Sequence, residues 1–207
     1  MNEMTGSALQ EYARGILAHV PREHWVVMTA VSLALTVILL IRKKCSVYGA
    51  IALGLTVFMG LFLLDTAVGI RYWGMMKHAA GHDLTLDLSR MFRKSGQWPV
   101  ETLSNIAVFV PFGFFLGEFL AEASAVSSDG PKSTAKRLGA WRRLGRVALA
   151  SFALSLCIEL LQLLLHVGFF ELTDLVMNTV GGVIGAGLSV GVRKVVSACC
   201  WAAPSER

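Results

Sequence analysis

The chain has 207 residues, 55% of them hydrophobic and 16% charged, with a formal net charge of +5 and a mean hydropathy of +0.60. A water-soluble domain carries about 25% charged residues, so this balance excludes an ordinary soluble enzyme or binding module and points to an all-α, polytopic membrane helix bundle. The positive charge calls for no nucleic acid, because anionic lipid headgroups attract it.

Residues 1–24 place Leu9, Tyr12, Ile16, Leu17 and Val20 at the spacing of one helical face, which reads as an interfacial helix or an irregular tail. Trp25 to Ile41 is a charge-free apolar run of 17 residues, followed at once by Arg42-Lys43-Lys44. A cleaved signal peptide has its basic residues before the apolar run, so this one reads as a first membrane helix. Val47 to Leu64 is a second run, of 18 residues. Within residues 69–101, an outer loop, Leu84, Leu88 and Met91 suggest a surface helix, with Trp98 as an interfacial anchor. A third run spans about Leu103 to Leu120. It is followed by a Ser-, Gly- and Pro-containing basic linker over about 123–146. The fourth run covers about Val147 to His166, and the fifth Leu175 to Val192, before a tail at 193–207. At 1.5 Å per residue each run spans roughly 26–30 Å, near the hydrocarbon thickness. Backbone groups in lipid must pair within their own segment, so about five transmembrane helices are expected. Five helices and no long internal repeat argue against a transporter of two inverted halves.

Lys and Arg divide 12 to 7 between the two sides of this topology. The basic side stays cytoplasmic, which predicts an exterior N-terminus and an interior C-terminus, although five of the seven lie in the loop at 69–101. Cys45, Cys157, Cys199 and Cys200 show neither CxxC nor metal-ligand spacing, and no pair lies outside where a disulfide would persist. No cofactor or metal motif is apparent.

The informative residues are polar ones inside apolar runs. An ionisable group at bilayer depth costs about 2.5–3.5 kcal/mol on insertion scales, so such groups face the bundle interior and find partners. Glu159, Gln162 and His166 stand at i, i+3 and i+7 on the fourth helix. Asp174, Asn178, Gly181 and Gly185 stand at i, i+4, i+7 and i+11 on the fifth, and Gly181-x-x-x-Gly185 lets a neighbouring helix come close. The joining segment is short, so these helices are antiparallel neighbours with both polar stripes in the outer half. Asn105 lies near the outer end of the third helix. Pro111 removes one amide donor there and displaces the carbonyl of Ala107. Asp65 ends the second helix at similar depth. The expected object is an outward-facing polar pocket lined by Asn105, Glu159, Gln162, Asp174 and Asn178, with His166 at its mouth. Should Glu159 and Asp174 meet, they titrate as a pair and offer an acid and a base.

Each residue also has a structural explanation. Glu159 can bond an amide between helices, Asp174 suits a helix N-terminus, Asn105 can cap, and His166 can sit at the interface. Glu118 and Glu122, at the other end of the third helix, read as solvated or paired with the linker arginines.

NIAVFVPFGFFLGE, then IELLQ, then TDLVMNTVGGVIGAGL resembles the VanZ-like family of bacterial membrane proteins over residues 102–191. That family's pattern is an Asn followed by an aromatic-Pro-aromatic/aliphatic-Gly run, a Glu-x-x-Gln pair, and Asp-x-x-x-Asn-x-x-Gly-Gly. Here these fall on Asn105, Pro111, Gly113, Glu159, Gln162, Asp174, Asn178, Gly181 and Gly182. Members often carry a basic residue before the Asp, where this chain has HVGFFEL. The resemblance implies a cell-envelope protein, and its name-giving member is linked to low-level teicoplanin resistance. Three functions stay open: a protein that binds an envelope lipid, a lipid-linked precursor or a lipoglycopeptide; an intramembrane enzyme using Glu159 and Asp174; and a structural or assembly subunit.

Overall fold

The computed structural model describes residues 20–42, 45–69, 81–83, 98–126 and 134–202. Among these residues five α-helices follow one another: α1 (Arg22–Ile41), α2 (Val47–Leu64), α3 (Trp98–Val126), α4 (Thr134–Leu164) and α5 (Leu172–Ala202). A five-residue π-turn, Asp65–Gly69, extends α2. Two three-residue strands, β1 (Gly81–Asp83) and β2 (Phe169–Glu171), pair in parallel with Gly81 opposite Phe169. Of the two expected surface helices, residues 1–19 and the segment from Leu84 to Met91 fall outside the described residues, while residues 22–24 belong to α1.

All five helices are long and apolar enough to cross a membrane: Arg22–Ile41, Val47–Gly69, Thr102–Ser124, Gly139–Leu164 and Leu172–Ser197. The chain is a multi-pass membrane protein. Large residues point outward, among them Leu33, Ile41, Leu149, Leu164 and Val195, while Gly, Ala and Thr fill most of the buried positions of α2. Lipid is as apolar as Leu, so association rests on close packing of small residues and on interhelical hydrogen bonds.

Ser46 starts α2. Its backbone is extended and its hydroxyl accepts from the Gly49 N–H at 3.0 Å, supplying one orphan donor of the first turn. Pro111 lies inside α3, which continues through it to Val126. The basic stretch expected as linker is different: it is helical from Thr134, so α4 carries Trp141, Arg142, Arg143 and Arg146 on its first turns. No proline interrupts 134–146, and its Ala, Leu and Arg are good helix formers.

The α4 terminus is a Schellman turn. The Val167 N–H donates to the Gln162 carbonyl at 3.0 Å and the His166 N–H to the Leu163 carbonyl at 3.3 Å. His166 adopts φ 54°, the left-handed conformation such a turn needs. Val167 then packs on the central cluster of Leu63, Val68, Phe109, Phe112 and Ile158, which α2, the π-turn, α3 and α4 share.

The most extensive contact joins α3 and α5, and it is parallel. A Cβ at Gly181 would run into the carbonyl of Ile106, and one at Gly185 into that of Val110. Both pairs are 75 residues apart in sequence, which sets the register. Gly113 meets the backbone of Gly182 in the same seam, and a Cβ on Gly182 would strike the Ser151 hydroxyl of α4. Gly113, Gly181 and Gly185 thus let the α3 and α5 backbones meet, and Gly182 makes room for the Ser151 side chain of α4, where no Cβ fits.

Candidate functional site

The polar residues of α4 and α5 meet at one end of the bundle. Glu159 is 2% exposed, Gln162 5% and Asn178 6%. Each takes a specific internal partner. Glu159 Oε2 accepts from the Glu171 N–H at 2.8 Å, which binds α4 to the strand that leads into α5. Asp174 follows in the first turn of α5, half-buried. Gln162 Nε2 donates to the Ala67 carbonyl at 3.0 Å, inside the π-turn that extends α2. Asn178 Nδ2 donates to Ser155 Oγ at 2.8 Å, joining α5 back to α4.

These bonds follow from helix geometry. Ser155, Glu159 and Gln162 share one face at i, i+4 and i+7, so one stripe of α4 reaches both α5 and the π-turn. A π-turn leaves backbone groups without regular helical partners, and a carboxamide can supply one. Asn105 lies one turn before Phe109, on the face that α3 turns toward the central cluster, and is half-buried. By the 75-residue register it sits within about one helical turn of the level of Asn178.

The arrangement has a buried floor, Glu159, Gln162 and Asn178, and half-buried groups beside it, Asn105 and Asp174. One floor atom stands apart: Asn178 Oδ1 is buried with no hydrogen-bond partner. A buried carbonyl without a donor is costly and calls for a ligand or water to donate to it. His166 is exposed, and its fixed role is the left-handed position of the α4 turn.

Sequence reasoning did not see His24. Its Nδ1 lies 2.7 Å from Asp65 Oδ1, tying the start of α1 to the start of the π-turn, while Asp65 Oδ2 is buried without a partner. Trp25 packs beside it against Phe58 and Phe62, with ring centroids 6.1 and 5.5 Å apart. Ser155 was also missed, although its i−4 offset from Glu159 put it on the visible stripe.

A second polar cluster occupies the opposite end. Glu118, 2% exposed, accepts from Ser189 Oγ at 2.6 Å, Tyr48 Oη at 2.7 Å and Arg193 Nε at 2.8 Å. Glu122 accepts from Ser46 Oγ at 2.8 Å and from Arg193 Nη2 at 3.0 Å. The reading of these acids as solvated or paired with linker arginines is therefore corrected: Glu118 is buried, and the hydrogen-bonded cation is Arg193 of α5. The parallel register explains this, because positions 118 and 193 are again 75 apart.

Among the described residues no group of three His, Cys, Asp or Glu side chains is placed to hold a metal ion. Cys45 is a half-buried thiol and Cys157 an exposed one, both free.

No curated protein and no solved structure matches the chain. The family described as VanZ/LLP1 matches residues 27–193, which takes in α1 and α2 as well as the motif-bearing region at 102–191. With that match running through all five membrane helices, the chain belongs to the VanZ/LLP1 family.

Proposed function

We propose that this protein binds the polar headgroup of an envelope lipid, a lipid-linked precursor or a lipoglycopeptide at the Glu159 end of the bundle. The observation that carries the reading is the buried, unpartnered Asn178 Oδ1 beside two half-buried polar groups, Asn105 and Asp174. Glu159 and Gln162 hold the frame through Glu171 and Ala67. Asn178 Oδ1 accepts from the ligand, Asn105 bonds it, and Asp174 favours a headgroup that carries hydroxyl or amine donors. The Lys and Arg distribution favours an exterior position for this end, the side on which glycopeptides meet their precursors.

A structural role has its own support. Glu159, Gln162 and Asn178 all bond within the protein and so bind α2, α4 and α5 together. Susceptibility to teicoplanin separates the readings, measured together with protein abundance in a strain whose tolerance depends on this chain. Glu159→Gln and Asp174→Asn are expected to lower tolerance toward that of the deletion strain while abundance holds. Parallel loss of tolerance and abundance favours the structural role. A deletion strain with unchanged tolerance removes the glycopeptide as ligand. Conversion of a purified lipid-linked precursor by the protein in detergent would replace binding with catalysis.

A further inference from the structure

The end opposite the candidate site carries an arginine with no hydrogen-bond acceptor among the described residues. Arg143 is half-buried on α4, within electrostatic range of both Arg193 and Glu118. The antiparallel contacts of α4 with α5, Asn178 on Ser155 and Gly182 against Ser151, carry forward to put Arg143 at the level of residues 190–193. Arg193 is engaged there: Nε bonds Glu118, Nη2 bonds Glu122 and the Glu118 carbonyl, and the guanidinium lies 5.6 Å from the Tyr48 ring centroid. Glu118 already accepts three hydrogen bonds, from Ser189, Tyr48 and Arg193. Among the described residues, Arg143 has no hydrogen-bond acceptor of its own.

A guanidinium presents five N–H donors in a planar fork, and no Arg143 nitrogen is among the buried unpartnered atoms, so its donors are open to a group at the surface of the bundle. Glu118 offers Arg143 charge at a distance but no hydrogen bond, its oxygens being turned to Ser189, Tyr48 and Arg193. Arg146 follows at i+3 on the same side of α4 and is exposed, so two forks can converge on one group. Trp141, 66% exposed just before them, has the character of a side chain at headgroup depth. A Cβ on Gly145, one residue before Arg146, would meet no atom of another described element within 4 Å, which leaves that face of α4 uncovered. A compact anion with several acceptor oxygens at headgroup depth fits all four observations.

We propose that Arg143 and Arg146 clamp the phosphodiester of one anionic phospholipid at the basic end of the bundle. The lipid completes the Glu118–Arg193–Glu122 cluster from outside. It supplies to Arg143 the acceptors that Glu118 cannot. This site is separate from the Glu159 end and does not depend on what binds there.

The test uses the full chain, purified in a neutral detergent and titrated with phosphatidylglycerol, phosphatidylcholine or inorganic phosphate, and read by native mass spectrometry and by thermal unfolding. One phosphatidylglycerol per chain is expected to be retained and to raise the unfolding midpoint, with no matching effect of phosphatidylcholine. Arg143→Gln should weaken phosphatidylglycerol binding about tenfold, as for loss of one charge-assisted hydrogen-bonding group. Arg42→Gln removes one exposed charge just past the end of α1 and should leave binding unchanged. Equal loss in both variants would mean a diffuse basic surface and would overturn the site. Binding of inorganic phosphate as tight as that of the lipid would overturn the assignment to a headgroup. Arg143→Lys keeps the charge but not the fork and should bind between wild type and Arg143→Gln. Wild-type binding by Arg143→Lys would also sink the clamp, and this variant decides the matter if Arg143→Gln does not fold.

Discussion

Removing Glu118 is the sharpest test of how this bundle is held at its basic end. Glu118→Ala takes away the acceptor of Ser189, which is fully buried, of Tyr48, and of Arg193 Nε. Breaking a buried ion pair by removing one partner costs about 3–5 kcal/mol. Arg193 keeps Glu122 and its side chain is 31% exposed, and Tyr48 can turn to solvent or headgroups, so the lower end applies, about 3 kcal/mol. Replacing both partners, Glu118→Met with Arg193→Met, removes the stranded charge and should be milder than either single change. The assay is denaturant unfolding of the full chain in mild detergent. A loss for Glu118→Ala of about 0.5 kcal/mol or less, the range of an exposed ion pair, would refute the reasoning.

Gly185→Ala should destabilise by about 1–3 kcal/mol, because its Cβ meets the Val110 backbone and neither helix can yield. Gly187→Ala, two residues on with nothing within 4 Å, should instead be neutral or stabilising by up to about 1 kcal/mol, and the same unfolding assay reads both. His166→Gly should leave the protein as stable or more so, since glycine takes the left-handed conformation without the cost a side chain brings; a lower midpoint would assign the imidazole a contact of its own. Gln162→Ala strips the Ala67 carbonyl of its donor, and faster hydrogen exchange confined to 65–69 is the expected result.

The five helices could be read directly because lipid forces each apolar run to satisfy its own backbone. The polar stripe of α4 and that of α5 were equally legible, since i, i+3 and i+4 offsets put Glu159 with Gln162 and Asp174 with Asn178. What those side chains touch was not. Gln162 bonds the Ala67 carbonyl 95 residues away, and that carbonyl is available through a π-turn that residue spacing does not announce. The Glu118–Arg193 pair was hidden for a similar reason. It depends on the register between two parallel helices, which the glycines set by backbone contact. The basic segment at 134–146 looked like a linker because charge suggests solvent, yet a helix leaving the membrane keeps its hydrogen bonds in either medium. The pairing of Gly81–Asp83 with Phe169–Glu171 joins two loops through backbone alone, and three residues carry no period to detect.

The central claim is that the Glu159 end receives a headgroup through Asn178 and its half-buried neighbours. Mass spectrometry of the lipids that copurify with the full chain tests it most directly, comparing wild type with Glu159→Gln and Asn178→Leu at matched yield and folding. The account predicts a lipid-linked species that wild type retains and both variants lose. Identical lipid profiles for all three proteins would contradict it.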